Sequence, residues 1–415
     1  MKEVGDLNLL IYEHIAGGGF SDDKLQPGIL SEGYGMLRAL TSDLRAAGCH
    51  VTTLLDSRLK ALNPPIEADE VIPITSRKQF SEAFKGASGS ADVVYVIAPE
   101  SDGVLRGLVE LVEASGGVSL NCRPDTIGSA SSKVNVHEVL NGMGLRVPET
   151  SVVEVREGVQ RIRRVASELG YPLVFKPVDG VGCSGLSVVR DESQIAAAVE
   201  KIRGIDGRKS HRPDAGPRGR RQRQCALNRR GGPPHHLERA ESLLGAAPLE
   251  LKLQRGIVPL RHQYEEEALD AARRAVGSFE GLRGYVGVDM VLSKDGPYVI
   301  EINPRLTTSY VGLRRVALFN PGEVIIEAVL RRRLPEDTHS SGYASMIKVK
   351  VPAPAGESLP EIYGLEDVLS PPFPVTGGEE ACALIVSKSD TREDAEMRTR
   401  RAELRLLGAL RRCRG

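Results

Sequence analysis

Over the first 120 residues, short apolar runs alternate with stretches of helical periodicity. Leu7 to Tyr12, Val51 to Leu55, Val71 to Ile74, Val93 to Ala98 and Val118 to Leu120 read as strands, since apolar runs of this length suit strands covered on both faces. Glu32, Met36, Leu37, Leu40 and Leu44 recur at helical spacing, and Gly103 to Ala114 supplies another helix. This alternation predicts a mostly parallel sheet whose ligands bind at the carboxyl edge of the strands. Glu13, His14 and Gly17 to Gly19, with Gly18 central, follow the first strand there, and Glu100 and Asp102 follow another. All are candidates for substrate contact; the alternative is ordinary solvated loop polars.

Further on, the period drops to two. In Tyr298-Val-Ile-Glu-Ile-Asn-Pro-Arg305, Glu301 and Asn303 share one face of a strand while Ile300 and Ile302 point into the core. Val286 to Leu292 places Val286, Val288, Met290 and Leu292 on one face and Asp289 on the other. A hairpin through a three-residue loop, Lys294-Asp295-Gly296 with Gly296 left-handed, sets Asp289 opposite Glu301, whereas a two-residue loop puts it on the wrong face. Three oxygen-bearing side chains then converge beside Arg305. Such a set suits Mg²⁺ held jointly with substrate phosphates, with Arg305 as a phosphate fork. The alternative is a plain hairpin with solvated polar faces.

Upstream, Leu173-Val-Phe-Lys-Pro177 reads as a strand entering the glycine-rich turn Val178 to Gly185. Gly180, Gly182 and Gly185 let backbone N–H groups approach phosphate oxygens, and Lys176 adds a point charge. The turn lacks the Gly-Lys-Ser/Thr of a Walker A loop and is not a dinucleotide fingerprint. Ser131-Ser-Lys-Val-Asn-Val-His137 opens a helix that ends near Gly144, with Lys133 in its first turn.

In this order, Ser132-Lys133, Val174-Phe-Lys-Pro177 with its glycine-rich loop, Gly287-Val-Asp289 and Glu301-Ile-Asn-Pro-Arg305 resemble the ATP-grasp family, from about Asp125 to Asn320. The resemblance implies an α+β fold, with an amino-terminal α/β domain (1–124) before two ATP-clamping subdomains (125–202 and 203–390) and a basic tail (391–415). It also implies a ligase that phosphorylates a carboxylate and passes the acyl phosphate to an amine. In that scheme Lys133, Lys176, Gly180, Gly182, Ser184 and Gly185 bind ATP. Asp289, Glu301 and Asn303 hold Mg²⁺ (or Mn²⁺), and Arg305 with Lys176 serves the transferred phosphoryl group. Glu13-His14 with its glycines, Leu30-Ser-Glu-Gly33, and Arg305-Leu-Thr-Thr-Ser-Tyr-Val-Gly-Leu313 are similar to the tyramine–L-glutamate ligase group of methanofuran biosynthesis. Glutamate and tyramine, or a tyrosine-like amine, are the substrates so implied, with another amino-acid or peptide ligase, or a relative without turnover, as alternatives. Thr307, Thr308 and Ser309 offer hydroxyls to an acyl phosphate or amino acid, although such residues also cap helices.

The chain departs from that family between Arg203 and Ala240. ATP-grasp proteins carry there a strand of the form apolar-Gln-Glu-apolar that contacts the nucleotide, whereas ten of these 38 residues are Arg and three are His. A flexible basic insertion is one reading. The favoured one is an out-of-frame passage in a GC-rich gene, with sensible patterning regained at Pro248 to Lys252 and Gly256 to Leu260. Either way the segment is expected to lack a strand. The Arg-rich tail from Thr391 is a second such passage or an amphipathic helix.

Composition adds bounds. Across 415 residues, 55 basic and 55 acidic side chains balance, which argues against a global nucleic-acid or anionic-membrane surface. No apolar stretch of about 18 residues suggests a membrane span, and no leader is evident. Six scattered cysteines lack metal or disulfide spacing and suit a reducing cytoplasm. Small-molecule substrates, no nucleic acid, no membrane and, compatibly, a homo-oligomer complete the expectation.

Overall fold

The computed structural model describes residues 2–60, 65–178, 186–207, 224–229, 255–335, 338–354, 362, 364–373 and 379–412. Strands β1 (Asn8–Glu13), β2 (His50–Asp56), β3 (Glu70–Ile74) and β4 (Val93–Ile97) form a parallel sheet in the order β3-β2-β1-β4. Alternate residues of β1 enter two different cores. Leu9 and Ile11 pack with helix α1 (Pro27–Ala46), and Leu10 and Tyr12 pack with Phe84 of α2 (Arg77–Ser90) and Leu105 of α3 (Val104–Ala114). Both faces are therefore covered, which is why these strands read as continuous apolar runs.

Three details differ from the sequence pattern. Helix α1 starts at Pro27, not Glu32, because proline suits the first helical turn, where its missing N–H costs nothing. Helix α2 has only Phe84 and Ser88 buried, too narrow a stripe to signal itself; Ser76 caps it by accepting from Gln79 N at 3.3 Å. Val118 to Leu120 forms no named strand: Ser119 makes a single parallel bridge to Val94.

Helices α4 (Pro124–Ala130) and α5 (Lys133–Gly142) lead into an antiparallel sheet of β5 (Thr150–Glu154), β6 (Leu173–Pro177), β7 (Ser187–Val189) and β8 (Gln224–Arg229), ordered β5-β8-β6-β7. Helices α6 (Val159–Leu169) and α7 (Ile195–Gly207) cover it through Ile162, Ile195 and Val199 against Phe175. Strand β8 corrects the expectation of a strandless Arg203 to Ala240. Residues 224–228 pair with β5 and residues 225–229 with β6. The segment is arginine-rich, but Gln224 to Arg229 contains neither Gly nor Pro, and two strand edges facing one gap bind backbone whatever the side chains. Pro248 to Lys252 lies outside the described residues.

A third sheet, β13-β14-β12-β9, joins β9 (Arg255–Val258), β12 (Tyr343–Pro352), β13 (Val368–Ser370) and β14 (Glu380–Ser389). The helix Arg392–Arg412 buries Ala395, Ala402, Leu406, Ala409 and Leu410, several of them against Ile347, Val349 and Ile385 of that sheet. Of the two readings of the tail, the described residues show the amphipathic helix. The remaining strands, β10 (Gly287–Ser293) and β11 (Gly296–Asn303), form a separate hairpin packed on α5 and the helix Glu265–Gly277.

Helix α1 lies between the first sheet and the carboxyl-terminal elements. Asp43 accepts from the Tyr310 hydroxyl at 2.6 Å and from Arg314 Nε at 2.9 Å, while Asn320 Nδ2 donates to its carbonyl at 2.6 Å.

Candidate functional site

Asp289 stands opposite Glu301, and Gly287 opposite Asn303, so the polar faces of the hairpin meet as the alternation requires. The route differs from the expected one. The turn has two residues, Lys294 and Asp295, and Gly296 (φ +113°) already pairs with Ser293 as strand. A two-residue turn alone would put Asp289 on the wrong face. A β-bulge between Asp289 and Met290 corrects it by leaving Ile300 without a partner. As a result Val299 and Ile302 are the buried core residues, and Ile300 lines a cleft with Lys133, Lys176, Val136 and Val147.

Both lysines reach this cleft from rigid elements. Ser132 caps α5 by accepting from Asn135 N at 3.3 Å, which fixes Lys133 at the first helical position, its Nζ 3.6 Å from Glu301 Oε2. Lys176 extends from β6 and is buried. Burial pushes its ammonium down to about 8, with Glu301 opposing and Lys133 adding to the shift. At the hairpin, Asn303 Nδ2 donates to Asp289 Oδ2 at 3.2 Å. Loss of water around the Asp289 carboxyl, followed by the charge of Glu301, raises it to about 6. The residue as a whole is exposed, so solvent screens part of this effect. Two crowded carboxylates and an amide are a hard-oxygen donor set that a divalent cation would relieve, and their chemistry fits Mg²⁺.

Arg305 follows β11 and turns toward the first sheet. Its Nε lies 2.8 Å from Glu100 Oε1 as an ion pair, and its Nη1 donates to Leu306 O at 3.2 Å. Glu100 thereby brings the carboxyl edge of β4 to the hairpin.

The remaining candidates divide. Thr307, Ser309 and Tyr285 form a hydroxyl cluster, with 2.8 Å between Thr307 Oγ1 and Ser309 Oγ and 3.1 Å from Tyr285 to Thr307. Thr308 donates to Glu32 Oε2 at 2.9 Å, and Lys348 pairs with the same carboxylate. Glu13 and His14 are buried and engaged internally. Ala16 N donates to Glu13 Oε2 at 2.6 Å, and the Tyr12 hydroxyl meets His14 Nδ1 at 3.0 Å. A methyl group at Gly33 would come within 2.6 Å of the Glu13 carboxylate, so α1 packs directly on it. Gly18 (φ +92°) faces Ile74 at a distance that leaves no room for a side chain. Gly180, Gly182, Ser184 and Gly185 lie outside the described residues. Tyr285, Glu32 and Lys348 escaped the sequence reading as site residues, because each comes from a different element and no local spacing links them.

Three family models match the chain: a pre ATP-grasp 3 domain at residues 49–127, a carbamoyl-phosphate synthase L chain ATP binding domain at 132–206, and an ATP-grasp domain at 235–309. The chain is 24% identical over 322 residues to tyramine–L-glutamate ligase of Methanocaldococcus jannaschii, covering 74% of this chain and 84% of that one. The ligase of Methanocaldococcus fervens is 25% identical over 313 residues, with 74% and 89% covered. Among solved structures, a biotin carboxylase complex from Campylobacter jejuni superposes with a TM-score of 0.66 at 15% identity, covering 96% and 91% of the two chains. An L-amino acid ligase from Bacillus licheniformis gives 0.65 at 15% identity, covering 96% and 97%.

Proposed function

Because the chain belongs to the ATP-grasp family, we propose that it is an ATP-dependent, ADP-forming carboxylate–amine ligase that joins the γ-carboxylate of glutamate to tyramine or a tyrosine-like amine. A place in methanofuran-type cofactor synthesis in the cytoplasm goes with this reading, as does a homo-oligomeric state. The activity named for the two Methanocaldococcus relatives supports the substrates. The observation that carries the chemistry is the meeting of Lys133, Lys176, Asp289, Glu301, Asn303 and Arg305 from α5, β6 and the hairpin.

In this mechanism, Lys133 and Lys176 would receive the triphosphate and offset its charge, with Lys176 already desolvated. Asp289, Glu301 and Asn303 would hold Mg²⁺, which supplies charge neutralisation between phosphate oxygens when bound. Arg305 would orient the transferred phosphoryl group against the substrate carboxylate. The glutamate γ-carboxylate oxygen attacks the terminal phosphorus and ADP leaves. The amine nitrogen then attacks the acyl carbon, phosphate departs with the former carboxylate oxygen, and the nitrogen gives up its proton. Catalysis of this kind is mainly positioning and electrostatic stabilisation.

The test is ADP release with glutamate and tyramine against ATP alone, followed by the product mass. A γ-glutamyl amide is expected. ADP release that depends on neither substrate would sink the proposal.

A further inference from the structure

Glu100 is a carboxylate beside Arg305 that no phosphate or metal role absorbs. Its side chain is 7% exposed, both oxygens are sealed from solvent, and the partner found for them among the described residues is Arg305 Nε, 2.8 Å from Oε1. The 2.8 Å approach of Arg305 Nε balances its charge but leaves most of its acceptor capacity unfilled. An ionised carboxylate in that state is costly unless a further donor arrives. A group bearing several N–H donors, such as an ammonium, would fill that capacity, whereas a phosphate or carboxylate would be repelled.

From this geometry we infer that Glu100 binds the α-ammonium group of the amino acid whose side-chain carboxylate is phosphorylated. The inference rests on the ligase reading above. Arg305 pairs with Glu100 at 2.8 Å and also feels the charges of Glu301 and Asp289 on the hairpin, so one guanidinium is shared by the acidic recognition point and the proposed phosphoryl-transfer site. A substrate with a carboxylate at one end and an ammonium at the other matches those two sites. Glu100 is held in place from behind: it precedes the short turn Ser101–Gly103, in which Asp102 adopts φ +58° and Leu105 N donates to Pro99 O at 3.0 Å.

The experiment compares L-glutamate with glutarate, which keeps both carboxylates and lacks the ammonium, at saturating MgATP and amine, in the wild-type chain and Glu100→Gln. Wild type should prefer glutamate by about 100-fold or more in kcat/KM. In Glu100→Gln that preference should fall by at least about tenfold, through a raised KM for glutamate, with KM for ATP nearly unchanged. If Glu100→Gln does not fold, Glu100→Asp, which keeps the charge but draws it back, should raise the KM for glutamate and leave that for glutarate alone. Equal use of the two acids by the wild type, an undiminished preference in Glu100→Gln, or equal losses for both acids in either variant overturns the ammonium site while leaving the ligase reading intact. A wild type that turns over neither acid overturns both.

Discussion

At the scale of single residues, charge converges on Glu301, which faces Asp289 across the hairpin and Lys133 across the cleft. Glu301→Gln keeps shape but removes the charge proposed to hold Mg²⁺. We expect kcat to fall on the order of 100-fold, with the thermal midpoint within a few degrees of wild type. A full rate at saturating Mg²⁺ would refute the assignment. Glu13 makes a different prediction. Burial raises its carboxyl from 4.5 to about 7, against hydrogen bonds from Ala16 and Ile15 that lower it. The folded protein therefore keeps the proton between those values after the unfolded chain has released it. Its contribution to stability is full below about 4.5 and is lost as pH rises through 7. Glu13→Gln should flatten this slope, so denaturant unfolding at pH 5 and pH 8 should differ less in the variant than in wild type; identical slopes would contradict it. The candidate ligands of the hairpin were legible because a period of two marks a face. The burial of Glu13 and His14 was not, because the sequence identifies the edge of a sheet without saying which neighbours cover it.

At the scale of elements, the hairpin shows how a correct register can be reached by an unforeseen path. The alternation of Val286 to Leu292 demanded Asp289 opposite Glu301, and the bulge at Ile300 meets that demand with a two-residue turn. Bulges carry no reliable residue signature, so this detail was beyond the pattern. Strand β8 was hidden for another reason: it is defined by the edges of β5 and β6 rather than by its own composition. The helix Arg392–Arg412 shows the reverse case, in which many arginines obscured a buried stripe. Leu406 in that stripe is fully buried. Leu406→Ala should cost about 2–5 kcal/mol of unfolding free energy while leaving KM for ATP unchanged, as measured by denaturant titration and initial rates. A loss under ~0.5 kcal/mol would mean that the helix does not pack as described.

At the scale of the molecule, the parallel sheet could be read from local periodicity, and the order of the later elements from the resemblance of four short motifs to a known family. The joints between them could not, because they link residues hundreds of positions apart. Asp43 is buried under Tyr310 and Arg314. Asp43→Ala would leave the Arg314 guanidinium confined without its counter-ion, and we expect a loss of about 3–5 kcal/mol, seen as a lowered denaturant midpoint; an unchanged midpoint would show that the joint contributes nothing.

That joint also sets a timetable for synthesis. Asp43 and Arg314 are separated by 271 positions, which at ribosomal speeds of about 5–20 residues per second is roughly 14–54 s of elongation. For nearly all of that interval the residues that cover the outer face of α1 do not yet exist. Tyr34, fully buried in the finished protein with its ring edge-on to Phe373, stays wet or in the care of a chaperone until the last third of the chain arrives.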